Sequence, residues 1–275
     1  MTTILTESTL TPGADGTDRY EADGVVLLRQ VISPAEAAAI GAEFLRRVEG
    51  DPDPESVDVL PEDDVLRRYP RSVHPHRHPE REDGRIARRL MTDPRIIGVV
   101  ESLIGPAYAA QSMFYFKPPT ARGQALHQDN LFLQSHPETC LAAWIAIDDC
   151  DAENGGLMVI PGSHRVPILC AEVEADPDES FTDKTIGVPE DAGRVQTEMR
   201  SGDVLFFHGS LVHGSLPNSS AHRFRRSLIF HYVPQNSVEV SRFYQPLVAP
   251  DGREVWIDES PEGGPCGSSW TSEGP

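Results

Sequence analysis

The sequence predicts an α+β chain in which helices come first and an all-β barrel or jelly-roll core follows. Three observations predict it. Capped helical patterns fill the stretch before about residue 106. Short β-rich runs (AYAAQSMFYF, LAAWIAI, LMVI, VLFF, RSLIFHYV) fill much of the rest. Gly, Pro, Asn and Asp separate those runs, which is turn punctuation.

Residues 1–18 are polar and Gly/Thr-rich and are expected to form a mobile tail. From Tyr20 onward, GVVLLRQVI reads as a strand. Ser33-Pro34-Ala35-Glu36 is a capping box with proline at the first helical position, so a helix should run to about Val48, before Gly50. Residues 51–83, rich in Pro, Asp and His, read as a long loop of the functional kind. A second helical stretch begins near Gly84, restarts at Asp93-Pro94 and stops at Gly105-Pro106. Beyond the first strands, residues 165–200 carry an acidic interruption expected to be a second active-site loop. The expected organisation is one domain over 19–250, followed by an irregular tail over 251–275.

Composition narrows the function. The chain has 275 residues, 39% of them hydrophobic, enough for a substantial core. It contains no apolar run of the roughly 20 residues that cross a bilayer. The first residues have neither a basic n-region nor an apolar h-region, so a secretory signal is not expected. Cys140, Cys150, Cys170 and Cys266 show no paired spacing, and a reducing cytoplasm is the expected location. A formal charge of −19 argues against nucleic acid and anionic membrane as partners, because phosphates need clustered cations. A small-molecule substrate remains; oligomeric state is not indicated. Only Lys117 and Lys184 are lysines among 24 Lys and Arg residues, which suggests a GC-rich source.

The central motif is His127-Gln128-Asp129. On an extended segment residues i and i+2 face the same side, so His127 and Asp129 can meet one metal ion. An imidazole and a carboxylate are two ligands of the 2-His-1-carboxylate triad, which leaves one face of Fe(II) open. His213, in LFFHGSLVHGS, would supply the third. An arginine follows in FRRSLIFHY, and a buried guanidinium suits the distal carboxylate of a dicarboxylate cosubstrate.

These segments resemble the phytanoyl-CoA dioxygenase family. The likeness is carried by HQD (127–129), LAAWIAIDDCDAENGGLMVIPGSH (141–164) and GDVLFFHGSLVHGSLPNSSAHRFRRSLIFHYV (202–233), and covers roughly residues 20–235. It implies a double-stranded β-helix with N-terminal helices packed on it, and Fe(II), 2-oxoglutarate and O2 as cofactor and cosubstrates. By position, His127, Asp129 and His213 match the iron ligands. Arg225 matches the anchor of 2-oxoglutarate, Ser215 a hydroxyl donor to it and Trp144 an aromatic wall beside it. Arg226 is the alternative anchor; neighbours on a strand face opposite sides, and the register of His231-Tyr232 favours Arg225. Asp129 stands where related halogenases have a small residue, so halogenation is not expected. The resemblance implies decarboxylation of 2-oxoglutarate to succinate coupled to hydroxylation of a small molecule, with desaturation, epoxidation or ring formation as other outcomes. The breadth of the family and the inferred source suggest bacterial specialised metabolism. A lipid acyl-CoA hydroxylase and a non-catalytic metal-binding barrel are the alternatives.

Tyr115 and Lys117 share a strand face just before the motif and are candidate substrate contacts or, for Lys117, surface. Gln128, between two ligands, is a third candidate contact. His74-Pro75-His76-Arg77-His78 reads as an exposed loop, alternatively as a substrate-facing lid. His208 and His231 read as hydrogen-bonded core residues, and His164 as the holder of a turn.

Overall fold

The computed structural model describes residues 14–50, 60–137 and 139–260, with the backbone of Thr3–Ile4 besides. Most of the expected N-terminal tail, the start of the 51–83 loop and the last part of the C-terminal tail lie outside the described residues.

Strand patterning divides the core into two layers. In Leu141–Ala146, Val204–His208 and Ser227–Pro234, side chains alternate between faces, as the two-residue period requires. Leu141, Ala143, Ile145, Val204, Phe206, Leu228 and Phe230 face one way and pack on helices. Ala142, Trp144, Leu205, Phe207 and Ile229 face the other way, toward a second sheet. These strands belong to an eight-stranded sheet with the order Glu254–Val255, Leu247–Val248, Ala107–Tyr115, Ser227–Pro234, Leu141–Ala146, Val204–His208, Val25–Leu28, and Ser72–Val73 paired on Ala107–Tyr115. The facing five-stranded sheet runs Thr3–Ile4, Val195–Gln196, Leu157–Val159, His213–Ser215, Gln124–His127. Two sheets, antiparallel except where Thr3–Ile4 pairs parallel with Val195–Gln196, close over one interior with helices on the outer face of the larger one and make the expected α+β jelly roll.

The helices are Ala14–Asp23, Pro34–Gly50, Glu82–Met91, Pro94–Ile104 and the single turn Asn130–Leu133. Ser33 caps the second: its Oγ accepts the Glu36 amide at 3.1 Å. Only half of the expected box forms, because the Glu36 carboxylate turns instead to Arg95, 2.8 Å away. Asp93 caps Pro94–Ile104 by accepting from the Arg95 amide, and Gly105, at φ +74°, ends it in a conformation that side chains disfavour. Phe44 locks the helical layer to the sheet by stacking on Phe114 at 4.0 Å between centroids.

Several expectations need correction. The helix Ala14–Asp23 begins inside the stretch read as tail. Beyond residue 251 the chain still forms strands at Glu254–Val255 and Asp258–Glu259. The 51–83 loop contains Ser72–Val73, which extends the large sheet, and the 3-10 turn Pro75–Arg77. That pairing draws His74 and His76 indoors, so the histidine tract is not an exposed loop. His76 Nδ1 lies 2.6 Å from Ser112 Oγ, and His74 packs on Phe243 and Tyr244.

Truncating Phe44 removes a large, fully buried ring from the seam between layers. Phe44→Ala is expected to destabilise the protein by about 3–5 kcal/mol, read as a lower denaturant midpoint. Metal affinity of the folded fraction should stay unchanged, since Phe44 packs on the outer face of the sheet.

Candidate active site

His127 closes the strand Gln124–His127 and His213 opens the neighbouring strand His213–Ser215, where the two residues are direct register partners. Their rings lie 4.2 Å apart between centroids. Gly214 lets these strands meet closely: a Cβ there would stand 2.9 Å from the Gln124 carbonyl oxygen. Asp129 lies just beyond the strand, at the N-cap of the single helical turn Asn130–Leu133. Its helical φ of −63° and ψ of −35° show that a tight turn, not extended alternation, swings the carboxylate back beside His127.

One oxygen from Asp129 and one nitrogen from each histidine lie within 4.8 Å of one another. The second nitrogens are spent on orientation. His127 Nδ1–H donates to the Ala125 carbonyl at 2.8 Å and His213 Nδ1–H to the Leu211 carbonyl at 3.0 Å. Both Nε2 lone pairs therefore aim at the shared space, with Asp129 Oδ1 3.6 Å from one and 3.5 Å from the other. His231 Nε2–H donates to the other carboxylate oxygen, Oδ2, at 3.0 Å. Burial lowers the His127 pKa to about 4, with His213 adding to the effect, so the imidazole is neutral at ordinary pH. Burial would push the Asp129 carboxyl up, but His213, His231 and the His231 hydrogen bond outweigh it and hold the group ionised. Two imidazoles and one carboxylate, each already braced, fit a facially bound Fe(II).

The three ligands open into a cavity of about 560 Å³. Trp144, Ser215 and Arg225 line its inner part. Arg225 is buried, donates from Nε to the Gly155 carbonyl at 3.2 Å and from Nη1 to Ser227 Oγ at 2.9 Å, and lies over the Trp144 ring. Burial lowers its pKa to about 10, so it stays charged at neutral pH. Its neighbour Arg226 points to the opposite face and grips Asp148 through Nε at 2.9 Å and Nη2 at 2.6 Å. No carboxylate bonds to Arg225 among the described residues.

The remaining candidates separate. Tyr115 lines the cavity and accepts a hydrogen bond from Arg71 at 2.9 Å. Gln128 is fully buried and turned away from the cavity. Its amide donates to the Ser210 carbonyl at 2.8 Å and its oxygen accepts from Leu169 N at 2.8 Å, so it is a brace, not a substrate contact. Lys117 is neither on the surface nor in the main cavity; it is buried behind Ser215. His208 is hydrogen-bonded, as expected, accepting from the Ser210 amide, whereas His164 bonds the Glu21 carbonyl of the helix Ala14–Asp23 and so reaches beyond its own turn.

Sequence reasoning did not assign His231 to the metal carboxylate. The signal existed, since His231 shares parity with Arg225, Ser227 and Ile229 on one strand. It also missed the mouth. The 51–83 loop contributes Arg71 and Val73 to the cavity and the 165–200 loop only Thr182. Much of the rim is Leu131 to Gln134 and Ser241, Phe243 and Tyr244, with Phe132 and Phe243 half exposed.

The Phytanoyl-CoA dioxygenase (PhyH) family model matches residues 20–227. The chain belongs to the phytanoyl-CoA dioxygenase family. Among its relatives, a phytanoyl-CoA dioxygenase of Arabidopsis thaliana is 36% identical over 124 residues, 45% of this chain and 43% of that protein. The peroxisomal phytanoyl-CoA dioxygenase of Rattus norvegicus is 28% identical over 225 residues, covering 78% of this chain and 66% of its own. The chain thus spans about half the length of the plant relatives it matches. Among solved structures, the epimerase SnoN in complex with Fe3+, alpha ketoglutarate and nogalamycin RO has a TM-score of 0.63 at 25% identity, covering 82% of this chain and 84% of its own. EvdO2 from Micromonospora carbonacea var. aurantiaca, complexed with 2-oxoglutarate, matches at a TM-score of 0.58 and 16% identity over 94% of this family member and 98% of that chain. These likenesses support the double-stranded β-helix. No described helix is long and apolar enough to cross a membrane.

Burial lowers the pKa values of His74 to about 2, His76 to about 3, and His127 and His208 to about 4. The unfolded chain protonates all four near pH 6.5, while the folded protein resists until much lower pH. The contribution of these four histidines to the stability of the metal-free protein is therefore full above about pH 6.5 and is lost progressively as pH falls, toward about 4 for His127 and His208 and toward about 2 to 3 for His74 and His76. Neither ring nitrogen of His74 has a hydrogen-bond partner among the described residues. In unfolding measurements at stepped pH, His74→Phe is expected to flatten this decline by about one proton's worth of slope. An unchanged slope would count against the buried, neutral state of His74.

Proposed function

We propose that this protein is an Fe(II)- and 2-oxoglutarate-dependent dioxygenase that oxidises a C–H bond of a small molecule. The observation that carries the reading is a single cavity holding both halves of the required chemistry. One half is a braced His127, Asp129 and His213 triad; the other is a buried Arg225 with no carboxylate of its own.

Iron with 2-oxoglutarate and O2 supplies an oxidant able to attack an unactivated C–H bond, releasing carbon dioxide and succinate. The protein's own residues do the rest. His127, Asp129 and His213 would hold the ion from one side and leave it open to cosubstrate. Arg225 and Ser215 receive the distal carboxylate, and the Trp144 ring walls that pocket and excludes water. A guanidinium buried without a counter-ion is costly, and a dicarboxylate relieves that cost while being oriented by it. Asp129 keeps the carboxylate that a halide would otherwise replace, which supports hydroxylation or a related oxidation over halogenation.

The cavity walls beyond the metal are mainly apolar and aromatic: Val73, Met113, Leu131, Phe132, Phe243 and Tyr244, with Arg71 the cation among the lining residues there. This suits an uncharged or weakly charged small molecule better than a polyphosphate-bearing thioester. SnoN, bound to nogalamycin RO, supports a substrate drawn from bacterial specialised metabolism. An acyl-CoA substrate, as the names of the plant and mammalian relatives suggest, is the second reading.

Anaerobic addition of Fe(II) and 2-oxoglutarate should give the weak visible charge-transfer band of the chelate. Asp129→Ala and His213→Ala should abolish it. Arg225→Met should keep iron and weaken 2-oxoglutarate binding about 30-fold or more, because one partner of a buried charge pair is removed. A well-folded, iron-loaded wild type without the band would overturn the dioxygenase reading. Oxygen uptake with acyl-CoA esters but with no apolar ring compound would move the substrate to the second reading.

A further inference from the structure

Lys117 and Arg225 form a pair that sheets ordinarily avoid. Lys117 N–H donates to the Arg225 carbonyl at 3.0 Å and Arg225 N–H returns the bond at 2.9 Å, so the two residues stand directly opposite. Side chains of such a pair share a face, and like charges there repel. Both side chains are buried, at 3% and 4% exposure, and neither bonds to a carboxylate among the described residues. Burial, followed by the charge of Arg225, depresses the Lys117 ammonium well below its usual range. A chain with only two lysines places one of them here, against its own electrostatics.

Three oxygens surround the Lys117 nitrogen, one for each proton of an ammonium. Lys117 Nζ donates to the Gly155 carbonyl at 3.2 Å, the Leu216 carbonyl at 2.6 Å and Ser215 Oγ at 2.8 Å. The Gly155 carbonyl also accepts from Arg225 Nε, so one oxygen ties the lysine to the arginine. Gly155 sits at φ +74°, and a Cβ there would come within 2.7 Å of Lys117 Cδ. Ser215 Oγ takes a second hydrogen bond, from the Gln124 amide at 3.2 Å. A hydroxyl has two lone pairs and one proton. With an ammonium and an amide on the lone pairs, its proton has no protein acceptor among the described residues, and Ser215 lines the cavity beside Arg225. A neutral amine would reverse this. Its two protons would go to the two carbonyls, its lone pair would take the Ser215 proton, and the hydroxyl would offer an incoming anion only a lone pair.

We propose that Lys117 is a positioning residue of the 2-oxoglutarate subsite, acting through Ser215: as an ammonium it aims the Ser215 proton at the cosubstrate's distal carboxylate. Lys117 does not itself touch the cosubstrate. The inference rests on the assignment of Arg225 and Ser215 to that carboxylate, and the arriving anion in turn relieves the repulsion between the two cations.

The test is a double-mutant cycle on iron-loaded protein, with 2-oxoglutarate affinity read by anaerobic calorimetry. Lys117→Met is expected to weaken 2-oxoglutarate about tenfold, the loss of one charge-assisted bond, while kcat at saturating cosubstrate holds within about twofold. In a Ser215→Ala background the same change should cost about twofold or less, because the relay is already broken. Affinity for 2-oxopentanoate, which has the keto acid end and no distal carboxylate, should not respond to Lys117→Met. Equal losses in both backgrounds, equal losses for both keto acids, or no loss in a folded Lys117→Met protein would each overturn the proposal. Should methionine prevent folding, Lys117→Gln keeps two N–H donors for the carbonyls without the charge and should show the same loss; normal affinity in that variant would also overturn it. Wild-type protein that binds iron but not 2-oxoglutarate would sink the subsite assignment itself, a separate outcome.

Discussion

Asp129 is a buried carboxylate surrounded by three imidazoles and no permanent cation, and much of the site depends on how that arrangement is satisfied. With His127 and His213 each holding its Nδ1 proton on a carbonyl, both present lone pairs to the same carboxylate oxygen at about 3.5 Å. Three electron-rich atoms around one small space repel one another until a cation enters. His231 satisfies only the far oxygen and so prevents the carboxylate from rotating away. The chain thus stores an electrostatic demand that a divalent ion meets. Burial keeps His127 neutral over the range where such an ion has to compete with protons.

A second demand of opposite sign lies a few residues along the same strands. His213 and Ser215 are two positions apart, which puts a histidine of the triad and a cavity-lining hydroxyl on one face of one three-residue strand. Across the interior, Arg225 and Lys117 stand together with no acidic partner among the described residues. An electron-rich hollow next to a cationic one is complementary to a metal chelated by a dicarboxylate, each end of the ligand answering one unpaired charge. The two halves share one strand, because Gln124 gives its backbone amide to Ser215 Oγ and His127 ends the same strand.

Much of this was legible in the sequence, for identifiable reasons. The metal triad could be read because ligand chemistry restricts residue type, and Arg225 over Arg226 because strand parity is a local rule. The helices at 34–50 and 94–104 announced themselves through Ser33, Asp93 and proline caps. Other features were not local. Burial of His74 and His76 follows from Ser72–Val73 joining the edge of a strand some 40 residues away, which no local pattern in the tract encodes. Gln128 looked like a site residue because of its neighbours, yet the turn that swings Asp129 inward necessarily turns Gln128 outward. The mouth eluded the reading because Phe132, Phe243 and Tyr244 come from a single helical turn and a 3-10 turn, elements too short for periodicity to signal.

The two sheets also divide their labour, and strand length shows how. The helix-backed sheet has four central strands of nine, eight, six and five residues, whose outer faces are sealed by Phe44, Leu90, Ile96 and their neighbours. The ligand-bearing sheet has strands of two to four residues, too short to hold themselves by backbone pairing alone. It is held by buried side chains that bond to backbone. Gln128 ties residues 169 and 210, Asn154 ties 149 and 224, and Ser163 caps the Val212 amide next to His213. Such braces have fixed lengths and directions, so they set ligand positions more tightly than apolar packing can. Lys117 belongs among them by its geometry and differs from them in charge. Gln128, Asn154 and Ser163 are neutral and serve the fold in any state, whereas an ammonium buried beside a guanidinium is at ease only when an anion lies in front of both.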